Sequence, residues 1–354
     1  MMSASTIRDV AIIGAGISGL SAAKRIQEAG RDVVVVEKSR GLGGRAATRR
    51  MTVAAGGEIP VDHGAQFFTA RDLRFQDQVA RWQERGICFP WSEGFMTWQA
   101  GSLHGPEAQW KDIRYACRGG MSQLGKFLAE GLDVVREFQV GSVTLEKGIW
   151  HLHADAGHSA EPLCAKALLV SSPLPQAMKL VGHCLSPEQQ EFTTRITCGP
   201  CIAVIARYPD DIQPPLWHGI QVRETGSPIS WMAWDSTKRN QGGPGAIAVI
   251  HASPEYSLLW LQASKEELKK AGAELLKEAV LIGGDWMNHP DDLVVHRWRF
   301  AHPQGPSAPS GFLRAPCHEP LYLIGDGLNG GRIEGAWLSG LFAAEDFLLK
   351  TASG

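Results

Sequence analysis

The 354-residue sequence predicts an α/β protein of two domains, one built on a parallel sheet and the other an α+β unit on an antiparallel sheet. Three observations predict it. A strand–turn–helix–strand pattern fills residues 9–37, and buried-strand runs recur at 167–173 and 321–324. Between those runs, the chain from 185 to 289 reads as alternating strands with two helices of its own.

The first pattern begins with Asp9-Val10-Ala11-Ile12-Ile13, an apolar run that ends in Gly14-Ala15-Gly16-Ile17-Ser18-Gly19. Ile17, Leu20, Ala23 and Ile26 then recur at helical spacing. Gly30 stands where a left-handed cap would stop the helix, Val33 to Val36 read as a strand apolar on both faces, and Glu37 ends it. Such a unit can hold a dinucleotide. Gly14 permits the tight turn, Gly16 lets the backbone approach a pyrophosphate, and Gly19 lets helix and strand pack closely. Ala15 and Ser18 lie in the same turn, where the helix N-terminus offers free N–H groups and positive dipole to phosphate. Glu37, 18 residues past Gly19, is placed to accept the adenosine ribose hydroxyls. Directly after it, Lys38-Ser39-Arg40-Gly41-Leu42-Gly43-Gly44-Arg45 forms a second glycine loop that can reach the same pyrophosphate, with Arg45 placed to pair with it bidentately.

This Gly-Gly-Arg element resembles the flavin amine oxidoreductase superfamily, in which it marks FAD. The resemblance implies a Rossmann-like FAD-binding domain of the p-hydroxybenzoate hydroxylase type and a discontinuous substrate domain. It also implies that Val61-Asp62-His63-Gly64-Ala65-Gln66-Phe67 runs past the flavin ring, so that Gly64, Ala65, Gln66 and Phe67 contact the cofactor. The Val140 backbone would lie against the adenine. Near the C-terminus, Asp326 would accept from the ribityl chain. There Gly330-Gly331-Arg332-Ile333-Glu334-Gly335-Ala336 opens the last helix, whose N-terminus near Arg332 and Ile333 would offer its dipole to the pyrimidine edge. FAD is expected to be non-covalent, because no cysteine sits in the superfamily's attachment motif.

The remaining elements follow in order. From Asp72 to Trp110 the tryptophans Trp82, Trp91, Trp98 and Trp110 stand among irregular polar residues. Met121, Leu124, Phe127 and Leu128 mark a helix, and 133–145 and 149–154 alternate. Ser186, Pro187 and Gln189 form a helix start, as do Ser264 and Glu267. Strands are expected at 202–206, 229–234 and 246–251, a loop at 303–316, and a last helix with Leu338, Leu341, Ala344 and Leu348 inward. The expected domains are therefore 1-71, 112-184 and 290-354 for FAD, and 72-111 and 185-289 for substrate.

Composition narrows the function classes. With 44% apolar and 20% charged residues and a net charge of −2, nothing points to nucleic acid or an anionic membrane. No apolar run approaches a membrane span, and the first strand starts too early for a signal or transit peptide. Seven cysteines without framework spacing fit a reducing cytosol, so a cytoplasmic location is expected. Cys198-Gly199-Pro200-Cys201 matches the thioredoxin tetrapeptide, but a strand rather than a helix follows it, which argues against dithiol chemistry. No second pair stands at metal-ligand spacing, so no metal is expected.

Three further segments resemble the renalase family, its bacterial members in particular: Ile229 to Lys238, His251 to Ser257 and His296 to Ala301, together with the terminal Arg332 to Gly340 run. The resemblance implies oxidation of the 2- and 6-dihydro isomers of NAD(P) back to NAD(P)+, with oxygen reduced to hydrogen peroxide. Where monoamine oxidases carry a tyrosine of the amine cage, this chain has Arg332, whose charge either disfavours a protonated amine or simply pairs with an acid or a flavin oxygen. Such a reaction asks for a stacked ring and few polar contacts. Trp231, Trp234 and Phe67 are candidate walls, and His251 and His296 candidate contacts to carboxamide and ribose, each of which could instead be a hydrogen-bonded structural histidine, the commoner case. Two rival readings are a small-amine oxidase or dehydrogenase, and a flavin-binding redox sensor using Cys198 and Cys201. The sequence assigns no oligomeric state.

Overall fold

The computed structural model describes residues 6–52, 56–107, 112–155, 161–213, 215–239 and 246–352; Trp110 falls outside them. The chain forms two compact units, Met1–Ala46, Ser122–Cys198 and Pro303–Gly354 in the first, Ala47–Met121 and Gly199–His302 in the second. These bounds differ from the sequence expectation. Residues 47–71, 112–121 and 290–302 pack within the second unit, and 185–198 within the first. The hairpin Thr48–Thr52/Glu58–Asp62 shows why: its Met51, Ile59 and Val61 share a core with Ile205, Ile247 and Val249 of the second unit's sheet.

In the first unit, eight strands among the described residues form one sheet. Ile7–Ile13 lies parallel to Val33–Glu37 on one side and to Leu163–Val170 on the other, and Val33–Glu37 is parallel to Asp133–Arg136. Leu163–Val170 shares its far edge between the antiparallel hairpin Val140–Glu146/Ile149–Ala154 and the parallel strand Leu321–Leu323. The stretch expected as one alternating run over 133–145 is thus two strands at opposite ends of the sheet. Val10 to Ile13, Val33 to Val36 and Ala167 to Val170 are all buried, which is why they read as unbroken apolar runs.

Helix Ile17–Glu28 starts at Gly16 and is followed by Gly30 at φ +78, the left-handed stop expected there. The C-terminal helix Ile333–Ala352 packs directly on it. A Cβ on Gly340 would stand 2.1 Å from the Ser18 carbonyl oxygen, and Ser21 Oγ donates to the Trp337 carbonyl at 2.9 Å. Backbone contact therefore fixes how closely the last helix lies on the first. Its buried stripe runs through Trp337, Leu338, Gly340, Ala343, Ala344 and Phe347, and the expected inward Leu341 and Leu348 are only half-buried.

The second unit carries a seven-stranded sheet in the order Asp292–Gln304, Thr197–Tyr208, Ala246–Ala252, Ile229–Trp234, Gly219–Val222, Met96–Gln99, Ser102–His104. Its pairs include antiparallel ones, as expected, but Gly219–Val222 is parallel to Met96–Gln99. One face is covered by helix Lys265–Gly283, whose capping box joins Ser264 and Glu267. The other face is covered by the 48–62 hairpin and the strand pair Cys88–Ser92/Arg114–Cys117. The stretch expected to be irregular after Asp72 is helical over Leu73–Glu84. Asp72 caps it by accepting from Arg74 N at 2.9 Å, and Phe75, Val79 and Trp82 at i, i+4 and i+7 form its buried stripe. Among the described residues no helix is long and apolar enough to cross a membrane.

Candidate active site

The first unit holds a dinucleotide cradle. Gly14 has φ +103, a conformation that only glycine adopts without strain, and its carbonyl accepts from Ser171 Oγ at 2.9 Å. A Cβ on Gly19 would fall 2.1 Å from that same carbonyl, whereas one on Gly16 would meet nothing within 4 Å. Gly19 is therefore small for packing and Gly16 for access. The helix that follows has no side-chain N-cap, and Ser18 Oγ, buried in its first turn, has no hydrogen-bond partner among the described residues. An orphaned hydroxyl and open amides at a glycine turn fit a bound phosphate.

The second glycine loop is zipped onto the first. Gly43 N donates to Ala15 O at 2.8 Å, and a Cβ on Gly44 would stand 3.2 Å from Gly16 Cα. The buried Glu37 carboxylate accepts from Ala15 N and Ser39 N, each at 2.9 Å, while Phe138 N donates to Glu37 O at 3.0 Å and brings the approach to Val140 alongside. Arg45 Nη2 lies 2.5 Å from Asp326 Oδ1, so two residues assigned separately to the cofactor form one ion pair. They line a pocket, with Ser171, Ser172 and Cys198 also in its wall, at the carboxyl ends of Leu163–Val170 and Leu321–Leu323. Ser172 Oγ there is a further buried hydroxyl with no partner among the described residues. The carboxyl edge of a parallel sheet is where such folds bind nucleotides, and these residues fit FAD. Lys38 and Arg332 are exposed, and Ile333 is the first residue of the C-terminal helix.

The second unit contains a buried ionic cluster. Lys238 Nζ lies 3.1 Å from Asp62 Oδ2, 3.1 Å from Asp235 Oδ1 and 3.0 Å from Gln66 Oε1, and 4.9 Å over the Trp91 ring. Asp62 also accepts from Met121 N and Thr48 Oγ1, each at 2.7 Å, and Arg239 pairs with Asp235 at 2.5 Å. Burial, with the neighbouring Asp235 charge, pushes the Asp62 carboxyl up. Burial acts in the same sense on Asp235, but Lys238 and Arg239 outweigh it and hold that carboxyl down.

Beside this cluster, Phe67, Trp91, Phe95 and Trp231 pack ring on ring, with Phe67–Phe95 at 4.8 Å, Phe95–Trp231 at 4.7 Å and Phe67–Trp231 at 5.6 Å between centroids. Gly219 makes room for Trp231, since a Cβ there would meet the indole at 2.4 Å. Trp231 is paired across the sheet with His251. Both are buried, and among the described residues Trp231 Nε1 and His251 Nε2 have no hydrogen-bond partner. His63 stacks on Trp298 at 5.3 Å and meets His296 edge-on at 4.7 Å, and Trp298 Nε1 donates to the His63 carbonyl at 2.9 Å. Burial, with charge on His302, Lys238 and His63, pushes His251 down to about 3; burial, with charge on His296 and Arg49, pushes His63 down to about 4. Burial and Arg49 also lower His296. These imidazoles are neutral at pH 7.

The structure thus gathers His251, His296, Gln66 and Phe67 in the second unit, with Gly64 and Ala65 in the same segment. Trp234 stands apart from them. It lies on the helix-covered face, packed against Trp286 at 5.1 Å in the core, so Trp231 rather than Trp234 joins the ring cluster. Sequence reasoning did not single out His63, Asp62 or Lys238, although all three stood in segments quoted for the resemblances. Cys198 and Cys201 lie inside strand Thr197–Tyr208, and burial pushes the first thiol up and the second to about 12, the reverse of a redox-active pair.

A family model described as flavin containing amine oxidoreductase matches residues 74–348, and one described as NAD(P)-binding Rossmann-like domain matches residues 12–82. Over 41 residues, 12% of this chain and 8% of the relative, the sequence is 58% identical to the FAD-dependent oxidoreductase oblC of Cochliobolus heterostrophus. Among solved structures, cyclohexylamine oxidase from Brevibacterium oxydans IH-35A superposes with a TM-score of 0.72 at 16% identity over 98% of this chain and 100% of that one. Putrescine oxidase bound to putrescine gives 0.69 at 16% identity over 97% and 99%. At these identities the likeness is one of fold.

Proposed function

The chain belongs to the flavin-containing amine oxidoreductases, and from that premise we propose that it oxidises isomeric 2- and 6-dihydro-NAD(P) to NAD(P)+ with oxygen as final acceptor. FAD is its cofactor, and when bound it supplies the hydride acceptor and the route of electrons to oxygen. The residues of the chain bind and orient. In the first unit, Gly14, Ala15, Gly16, Ser18 and Gly19 would hold the pyrophosphate, Glu37 the adenosine ribose, and Arg45 with Asp326 the phosphates and ribityl chain.

The observation that carries the substrate reading is the pair of orphaned ring nitrogens, Trp231 Nε1 and His251 Nε2, on adjacent strands beside an aromatic cluster. A carboxamide offers an acceptor to the indole N–H and a donor to a neutral imidazole nitrogen, while its pyridine ring suits walls of Phe67 and Trp231. A dihydropyridine becomes aromatic on losing hydride, so orientation matters more than proton transfer, and imidazoles held neutral serve as hydrogen-bonding groups without a charge. Arg114, whose Cζ lies 5.4 Å from the Phe95 ring, places a cation beside the rings and disfavours a protonated amine, while the charge of Lys238 over Trp91 is offset by Asp62 and Asp235.

The test is anaerobic mixing of the FAD-loaded protein with 2- and 6-dihydro-NAD, with 4-dihydro-NADH and benzylamine in parallel, following loss of flavin absorbance. Bleaching by the isomers alone supports the reading. The ring cluster also suits a small-amine oxidase, and bleaching by benzylamine alone would establish that reading instead. His251→Ala should cost about tenfold or more in kcat/KM for the isomers, one buried hydrogen bond's worth, and unchanged values remove His251 from the site.

A further inference from the structure

The second unit has another pocket, lined by Phe95, Thr97, Glu107, Arg114, Gln221 and Arg223, in which the proposed chemistry uses only Phe95 and Arg114. Arg114 is buried, and its Nη1 donates to the carbonyls of Glu93 at 2.5 Å and Asp112 at 2.6 Å, which locks the guanidinium in place. Arg223 is held by Glu107 and lies 3.3 Å from Gln221 Oε1. The neighbouring Asp112 carboxylate pairs with Arg71 at 2.5 Å. Among the described residues the pocket wall thus carries two guanidiniums and one carboxylate, an excess of positive charge in its lining.

Position gives this charge a meaning. Phe95 is one wall of the pocket, under Arg114, and it also touches Phe67 and Trp231, the rings offered to the nicotinamide. Pocket and ring cluster are one aromatic side chain apart. In a nicotinamide dinucleotide the ring and the nearer phosphate are likewise separated by one ribose.

We propose that this pocket binds the diphosphate of the dinucleotide substrate, with Arg223 and Arg114 as its cationic contacts and Glu107 as the carboxylate that holds Arg223 until phosphate replaces it. The inference rests on the dihydronicotinamide reading and adds where the substrate's charge is recognised. Bidentate guanidinium contacts to phosphate supply the affinity, and Glu107, as the competing acceptor, weakens it.

Two measurements on FAD-loaded protein test it. Binding of ADP-ribose and of inorganic pyrophosphate is followed by calorimetry for wild type, Arg223→Gln and Glu107→Gln. The selectivity of kcat/KM for 6-dihydro-NAD over its phosphate-free riboside is compared in the same proteins. Arg223→Gln should weaken ADP-ribose about tenfold or more and lower the selectivity by a similar factor, whereas Glu107→Gln should strengthen both severalfold. Unchanged affinity and selectivity in Arg223→Gln, or equal losses in both variants, would overturn the assignment. Pyrophosphate bound as tightly as ADP-ribose would make free diphosphate the ligand and overturn the link to substrate. If no isomer bleaches the flavin while ADP-ribose binding still depends on Arg223, the reaction reading fails and the pocket stands. Bleaching by the isomers with no dependence on Arg223 gives the opposite result.

Discussion

Lys238→Met removes the cation from the buried cluster while keeping the length of the side chain. Its Nζ lies 3.1 Å from a carboxylate oxygen of both Asp62 and Asp235, and each contact is worth about 5 kcal/mol at an effective dielectric near 20, before the desolvation that opposes it. Asp235 keeps Arg239, so Asp62 is the group left stranded. It can escape by taking up a proton, which from an ordinary carboxyl value of 3.8 costs about 4 kcal/mol at pH 7 and about 1.5 kcal/mol at pH 5. Those figures cap the loss, and the upper one agrees with the ~3–5 kcal/mol typical of breaking a buried pair. The sign follows from the stranded carboxyl: its folded value rises above its unfolded one, so the variant is least impaired in acid and loses ground as pH rises. Urea unfolding of both proteins, followed through the tryptophan fluorescence to which Trp91 contributes, should show the gap narrowing by up to about 2.5 kcal/mol from pH 7 to pH 5. Histidines remote from the cluster titrate in both proteins and cancel in the difference, whereas His251, which Lys238 helps hold down, takes its proton more easily in the variant and narrows the gap in the same direction. A gap that is the same at both pH values, or below about 1 kcal/mol at pH 7, would refute the reasoning; adding Asp62→Asn should recover most of the loss.

Two further outcomes are expected. His63 and His251, lowered by burial to about 4 and about 3, bind protons later than the unfolded chain does, so their contribution is complete above the unfolded value near 6.5 and is lost as pH falls. Each should remove about 2 kcal/mol between pH 6.5 and pH 5, and the double variant His63→Gln/His251→Gln should flatten the slope of stability against pH in that range. Gly16 has φ −76 and open space where a Cβ would stand, so Gly16→Val should fold with an unchanged circular dichroism spectrum yet bind FAD at least about a hundredfold more weakly in flavin titration.

The cradle and the second-unit cluster were not equally legible in the sequence, and the reason is chain distance. Gly14, Gly16 and Gly19 act within six residues of one another, and what each supplies, a positive φ at Gly14 and the missing Cβ at Gly16 and Gly19, is a property of glycine itself, so spacing alone identified them. Asp62 and Lys238 are 176 residues apart, and a lysine after a Ser-Thr pair reads as a solvated side chain until the fold closes over it. His63 had no local pattern either. Its neighbour Asp62 turns to Lys238 while His63 turns to His296 and Trp298, as adjacent residues at the end of an extended segment must.

One part that was misread did carry its signal. Trp231 and Trp234 both belong to strand Ile229–Trp234, and residues three apart in a strand point to opposite faces. Both could not line one site. Trp231 and Ala233 face the rings of Phe67, Trp91 and Phe95, whereas Met232 and Trp234 face helix Lys265–Gly283. His251 pairs with Trp231, and Ile250 with Met232, so the same parity places His251 on the ring face and Ile250 in the helix-covered core. Strand parity therefore divides this sheet into a structural face and a face that can touch substrate. It also explains why the buried polar atoms Trp231 Nε1 and His251 Nε2 lie together on the face away from the helix.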